Sequence, residues 1–139
     1  NVLLKDGEFV VLDWESAELN GLPALDLVYF LTYLALFVER VQVHGVVDVE
    51  QVRRVYHQTR DPRTELGSVV QRCLATYARR LGLPLDMLHP LRLLAWMVYA
   101  RHEYQTTWQA YGMAPGVCEL RQSIFLHLWE EELAPGGGA

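Results

Sequence analysis

The sequence predicts a mainly α fold that opens with one β-hairpin. Asp6-Gly7 separates two short apolar runs, residues 2–4 and 9–12. Asp-Gly between such runs is a strong hairpin signal, because a type I′ turn needs positive φ at both central positions. From about residue 23 onward, apolar residues recur at helical spacing, and glycines and prolines divide this part into segments of ordinary helix length.

The hairpin is predicted over residues 1–13, with its second strand ending at Asp13. A first helix is predicted over 23–43, with a proline in its first turn, where the missing N–H costs nothing, and with Gly45 after its end. It contains the most apolar run of the chain, residues 22–38. Because a carboxylate inside that run would be costly in lipid, we expect a buried core helix and no membrane span.

Capping signals bound the remaining predicted helices. Asp48 can cap a helix at its N-terminus, and Gly82 and Gly112 suit helix C-termini. The predicted helices cover residues 49–58, 61–81, 91–111 and 117–133, with a short turn over 86–88. A single domain over residues 1–133 follows, and the Pro-Gly-rich residues 134–139 are expected to form a flexible tail.

Composition narrows the class of protein. The chain has 139 residues, of which 51% are hydrophobic, and a formal net charge of -5. The apolar fraction argues against disorder, and the acidic balance gives no electrostatic reason to expect nucleic acid or a membrane surface as partner. We expect Cys73 and Cys118 to be buried free thiols, because both fall in amphipathic segments. With no signal peptide visible, a cytoplasmic protein is the default expectation.

A metal site is predicted at the open end of the hairpin. Asp13 follows three apolar residues, and Asn1 and Asp13 stand six residues on either side of Gly7. They are therefore near-opposite across the hairpin, to within one register step. A carboxylate and an amide oxygen suit Mg²⁺, which takes few protein ligands and completes its shell with phosphate and water. The alternative is that Asp13 only begins a turn and caps the loop at Ser16.

Three motifs resemble one known family. Asn-Val-Leu-Leu at residues 1–4, Val-Leu-Asp-Trp-Glu at 11–15 and Gly-Leu-Pro-Ala-Leu-Asp-Leu at 21–27 keep the order and spacing of the aminoglycoside phosphotransferase and choline kinase-like family. The resemblance is specific over residues 1–30 and general over 31–139. It implies the C-terminal lobe of a protein-kinase-like α+β fold.

The resemblance also implies roles for individual residues. Asn1 and Asp13 look like the two Mg²⁺ ligands, the same pair that the hairpin brings together. Trp14 would pack behind the metal ligand, and Glu15 would orient the site, bind metal through water or merely contact solvent. Asp26 resembles the family's buried helix aspartate, a brace that accepts hydrogen bonds from the catalytic loop. The implied activity is ATP- and Mg²⁺-dependent phosphorylation of a hydroxyl on a small molecule, such as an aminoglycoside, a choline-like amine or a sugar.

Two departures from the family pattern matter. Leu22 stands where the family usually has aspartate. The family's His-Gly-Asp precedes the motif asparagine, so its catalytic aspartate is expected five residues before Asn1, and none is expected in this chain. The phosphate-covering small lobe is likewise expected upstream, so we expect the chain alone to be inactive. The alternatives are a non-catalytic kinase-like or helical binding module, and a free-standing helical protein.

For the other polar and aromatic residues, a structural role is predicted ahead of a role in binding or catalysis. The paired arginines on the helices are predicted to be solvated, and the scattered histidines predict no zinc site. One predicted helix is rich in aromatic residues, which favours core packing. The alternative is a wall of the acceptor pocket, with Glu103 facing an amine, because aromatic faces suit cationic or sugar substrates. These aromatic residues are Trp96, Tyr99, Tyr104, Trp108 and Tyr111.

Overall fold

The structure, a computed structural model, describes residues 2–6, 8–11, 22–43, 47–112, 116 and 122–134. Within these residues it has two strands and five helices, so the mainly helical prediction is confirmed. The strands are β1 (Val2–Lys5) and β2 (Glu8–Val11), and the helices are α1 (Leu25–Val38), α2 (Val49–Arg60), α3 (Glu65–Leu81), α4 (Leu88–Tyr111) and α5 (Ile124–Leu133). A 3-10 turn over Leu85–Met87 leads into α4.

The two strands pair antiparallel around Asp6-Gly7. Val2 pairs with Val11 and Lys5 with Glu8, so the pairing is centred between Asp6 and Gly7. Asp6 has a φ of 54°, the left-handed conformation that a tight two-residue turn requires at its first position. The predicted end of the second strand at Asp13 lies outside the described residues.

Helix α1 is shorter than the predicted 23–43, and its end is made by a residue that gave no signal. Arg40 has a φ of 56°, and the next N–H, that of Val41, donates to the carbonyl of Leu36 at 2.8 Å. This 6→1 bond is typical of a helix that ends in a left-handed residue, usually glycine. Val41 is buried, so the apolar contact that accompanies such an ending holds arginine in a conformation that costs about 1 kcal/mol.

Helix α3 begins later than its predicted opening at Asp61-Pro62. Its N-cap is Thr64, whose Oγ1 accepts a hydrogen bond from the Gly67 N–H at 2.9 Å. The Asp61 carboxylate instead accepts from the backbone N–H of Arg63 at 3.0 Å and from its Nε at 2.8 Å. This pairing holds the pKa of Asp61 below its usual value, chiefly through the side-chain hydrogen bond from Arg63. The turn before α3 therefore uses Asp61, while Thr64 caps the helix.

The other caps agree with their local signals. Asp48 accepts from the Gln51 N–H at 3.1 Å, and Gly82 and Gly112 both end helices with a φ of 66°. Helix α5 begins at Ile124, capped by Ser123, and the earlier part of the predicted 117–133 helix lies mostly outside the described residues.

One core joins all five helices. Its residues are buried, and Trp96 of α4 is fully enclosed. The core includes Val28, Leu31 and Leu36 of α1, Val52, Val55 and Tyr56 of α2, Leu74 of α3, Trp96 of α4, and Ile124 and Leu128 of α5.

The prediction for Cys73 was wrong. The side chain is exposed, because Val70, Leu74 and Ala78 share the inward face of α3 and Cys73 lies to one side of that face. Cys118 lies outside the described residues.

Candidate functional site

Most of the predicted metal site lies outside the described residues: Asn1, Asp13, Trp14 and Glu15. The described pairing of the hairpin is centred between Asp6 and Gly7, half a residue before the predicted centre at Gly7. The opposition of Asn1 and Asp13 stays a prediction.

Elsewhere in the described part of the chain, no group of three or more histidine, cysteine or acidic residues is arranged to hold a metal ion. His57, His89 and His127 each lie within 3.3 Å of a glutamate oxygen.

Asp26 lies in the first turn of α1 and is exposed. An acidic residue there interacts favourably with the positive end of the helix dipole. The Tyr99 hydroxyl of α4 lies 3.5 Å from its Oδ1. The resemblance implies a buried brace at this position. The exposed carboxylate keeps its acceptor oxygens accessible, and the brace role stays a prediction.

Four aromatic rings from three helices form a half-buried group, here called the aromatic cluster. Tyr29 stacks on Tyr33 with a centroid distance of 4.3 Å and on Tyr99 with a distance of 4.5 Å. Phe125 stacks on Tyr99 at 5.4 Å. Tyr29 and Tyr33 lie on the same face of α1 because they are four residues apart. Tyr99 of α4 packs against that face, and Phe125 of α5 packs against Tyr99.

Two carboxylates flank the aromatic cluster. Asp26 lies beside Tyr99, and Glu103 accepts a short hydrogen bond from the Ser123 hydroxyl. Burial raises the pKa of Tyr33, and the neighbouring Tyr29 and the charge of Glu103 raise it further. Burial likewise raises the pKa of Tyr99, with the charge of Asp26 as the next cause. Tyr33 and Tyr99 therefore stay neutral hydrogen-bond donors at neutral pH.

The aromatic residues of α4 that were predicted to form one wall lie in different places. Trp96 is a core residue, as the first interpretation had it, whereas Tyr99 belongs to the aromatic cluster. Tyr104 and Trp108 form a separate pair with centroids 5.9 Å apart, and Trp108 is half exposed. Sequence reasoning assigned none of Tyr29, Tyr33 and Phe125 to a site, although the Tyr29–Tyr33 spacing on one helix was an available signal.

A second polar group, here called the Glu132 network, was also missed. The Glu132 side chain is 0% exposed and its Oε1 accepts from the Arg92 Nε at 2.8 Å. The Tyr56 hydroxyl donates to the same oxygen, and the His89 Nδ1 lies 2.8 Å from Oε2. Burial, with the Glu132 charge as the next cause, raises the pKa of Tyr56. The indole N–H of Trp96 donates to the Tyr56 oxygen at 2.8 Å.

The two preceding glutamates bind the outer surface of α2. Arg53 lies 2.9 Å from Glu131 and 3.4 Å from Glu130, and His57 lies 2.8 Å from Glu131. The guanidinium of Arg60 also donates to the Glu131 carbonyl at 3.1 Å. These contacts modify the expectation of solvated arginines, because two of them fasten α5 to α2.

The comparisons with known proteins add no family. No protein-family model, no curated protein and no solved structure matches the chain. In the described part of the chain, no helix has both the length and the apolar character that crossing a membrane requires.

Proposed function

We propose that the chain is the C-terminal lobe of an ATP- and Mg²⁺-dependent phosphotransferase that acts on a hydroxyl of a small molecule. The observation that carries the proposal is the order and spacing of Asn1, Asp13 and Asp26 within the three motifs of residues 1–30. The antiparallel pairing of Val2–Lys5 with Glu8–Val11 and the place of Asp26 at the beginning of α1 are compatible with it.

The donor set fits magnesium. An amide oxygen from Asn1 and a carboxylate from Asp13 are hard oxygen ligands, and two protein ligands suffice when phosphate oxygens supply others. Such an ion would neutralise phosphate charge, which is the main requirement of phosphoryl transfer besides positioning. In this proposal Trp14 packs behind Asp13, Glu15 orients the site, and Asp26 accepts hydrogen bonds from the catalytic loop.

The aromatic cluster is the acceptor side of the proposal. Its half-buried rings leave part of their surface open to a sugar ring or an ammonium group, and Asp26 and Glu103 lie beside the rings. Aromatic faces attract cations through their quadrupole, by about 0.5–2 kcal/mol each. An acceptor that carries positive charge therefore fits this surface better than an anion.

The upstream coding sequence gives the first test. Its translation is expected to show His-Gly-Asp and four residues immediately before Asn1. A stop codon followed by a start site at that point would refute the kinase interpretation of this polypeptide.

Mg²⁺–ATP binding by the full-length protein gives the second test, measured by titration calorimetry. Asp13→Ala is expected to weaken binding by at least tenfold, because it removes a metal ligand. Asp86→Ala, which removes an exposed carboxylate from the 3-10 turn, is the matched control and is expected to bind like the wild type. Equal binding by both variants would exclude a metal role for Asp13.

A non-catalytic binding module is the second candidate function. It is favoured by the fact that this chain itself contains the rings of the aromatic cluster and both flanking carboxylates. Tetramethylammonium and a neutral sugar, titrated separately into the 139-residue chain, test it through tyrosine fluorescence. Tyr99→Leu is expected to abolish the response and Trp108→Leu to preserve it. Binding without any Mg²⁺–ATP binding by the full-length protein would favour the module over the enzyme.

A further inference from the structure

We propose that α5 is a latch, held closed at its C-terminal end by the Glu132 network, that completes the aromatic cluster at its N-terminal end. Phe125 and Glu132 stand two helical turns apart on α5, about 10 Å along the axis. A ten-residue helix is too short to bend appreciably over that length, so fixing one end fixes the other.

Trp96 of α4 connects the two ends of the latch. Trp96 donates its indole N–H to Tyr56 of the Glu132 network, and its ring stacks on Phe125 at a centroid distance of 6.4 Å. Its ring also lies 6.4 Å from that of Tyr99. Displacement of α5 therefore removes Phe125 from the aromatic cluster and the Ser123 hydroxyl from Glu103 in the same motion.

The Glu132 network is strong because both charged partners are shielded. The Arg92 side chain is 13% exposed and that of Glu132 is 0% exposed. Removing one charge from such a pair leaves the other buried and uncompensated, which is far more costly than losing a surface pair. The outer contacts of Glu130 and Glu131 to α2 are more exposed and contribute less.

If α5 opens, the contacts among α1, α2, α3 and α4 remain. Helices α1, α2 and α3 pack against one another through Val28, Leu31, Val55 and Leu74, and α4 packs on α1 through Tyr99. Proteins open locally in cooperative units, at a lower free energy than global unfolding requires. A ligand that binds the closed cluster would stabilise the latch, and a stronger latch would raise the apparent affinity by the same factor.

Hydrogen exchange measured by mass spectrometry on the 139-residue chain tests the latch without any ligand. Glu132→Gln is expected to accelerate exchange in the amides of α5 by about a hundredfold, with the amides of α2 and α3 unchanged. The near-ultraviolet circular dichroism of the aromatic cluster should weaken in parallel. Glu130→Gln makes the same chemical change on an exposed side chain of the same helix, and is expected to alter exchange less than threefold.

Two results would overturn the proposal. Equal acceleration in α2, α3 and α5 would show that Glu132 stabilises the whole domain, and unchanged exchange in α5 would show that the network holds nothing closed. If Glu132→Gln does not fold, Arg92→Lys replaces it, because lysine keeps the charge but loses the guanidinium fork. About tenfold acceleration confined to α5 is then expected, and a uniform or absent change again overturns the proposal.

The choice of ligand rests on the proposed function, whereas the latch does not. If Glu132→Gln accelerates exchange only in α5 and the wild type does not respond to tetramethylammonium, the acceptor role of the aromatic cluster is refuted and the latch is supported. A response to tetramethylammonium that Glu132→Gln leaves unaltered, together with unchanged exchange, would refute the latch alone.

Discussion

Replacing Gly67 by alanine sets helix propensity directly against packing. Gly67 lies in the first turn of α3 and is buried against the end of α2. Alanine within a helix is favoured over glycine by about 1 kcal/mol. A Cβ at position 67, however, would lie 2.0 Å from the Asp61 carbonyl oxygen and 2.5 Å from that of Gln58. Contacts under 3.0 Å are essentially never seen, so these backbone atoms must move by about 1 Å.

The cost of that movement follows from the bonds it disturbs. The Gln58 carbonyl accepts from the Thr64 Oγ1 at 2.8 Å, and the Asp61 carbonyl accepts from the Thr64 N–H at 3.1 Å. Losing these two bonds costs about 2 kcal/mol, and overpacking adds roughly 1–3 kcal/mol. After subtraction of the propensity gain, Gly67→Ala should lower the free energy of unfolding by about 3 kcal/mol. For a chain of 139 residues this lowers Tm by about 10 °C.

Thermal and urea unfolding followed by circular dichroism measure this difference. Gly82→Ala is the matched control, because nothing lies within 4 Å of its Cβ and only its φ of 66° opposes alanine. It should cost about 1 kcal/mol. A Gly67→Ala variant as stable as the wild type, or less affected than Gly82→Ala, would refute the argument from the close approach of α2 and α3.

Three further outcomes are expected from local features. In urea unfolding, Thr64→Ala should lower the free energy of unfolding by about 2 kcal/mol and Asp48→Ala by about 1 kcal/mol. Both side chains cap a helix, but only the Thr64 hydroxyl also donates a hydrogen bond to α2, so equal costs would contradict this reasoning. Phe37→Ser should reduce dye binding and light scattering with little change in Tm, because Phe37 is 79% exposed, and unaltered scattering would contradict it. Stability should fall as pH rises above the ordinary tyrosine pKa of 10.0, because the unfolded chain then loses protons that the folded chain retains. Urea midpoints across that range measure the fall, and a flat profile would contradict raised pKa values at the three tyrosines concerned. These are Tyr33, Tyr56 and Tyr99.

Helix boundaries were predictable where a single residue type made the boundary. Asp48 and Gly112 were both identified from sequence, because a cap and a left-handed C-terminal residue have strong side-chain preferences. The end of α1 was not predictable, because Arg40 takes the left-handed conformation under the influence of a buried Val41. The beginning of α3 was misjudged because Asp61 and Thr64 both suit a cap, and the choice depends on how Arg63 binds Asp61.

The groups that could form a site were less predictable than the helices. In the Glu132 network, Arg92 and Tyr56 stand 40 and 76 residues from the glutamate that they bind. Local patterns carry no information on such pairings. One partial signal existed, since Glu132 stands four residues after Leu128 and eight after Ile124, on the face that α5 buries. A carboxylate at that spacing must find donors, and the sequence could not show which.

Trp96 determines which variants can separate the core, the aromatic cluster and the latch. Its side chain is fully buried, it donates to Tyr56, and it packs on both Tyr99 and Phe125. A substitution at Trp96 would open a cavity, leave a hydroxyl without its donor and withdraw support from two cluster rings, so its effects could not be assigned to any one of them. Tyr99 belongs to the aromatic cluster and Tyr56 to the Glu132 network, and Trp96 contacts both tyrosines. Tyr99→Leu should therefore abolish the ligand response, whereas Glu132→Gln should accelerate α5 exchange and weaken the ligand response through the latch. Their double variant should show a coupling energy that measures how much Trp96 transmits.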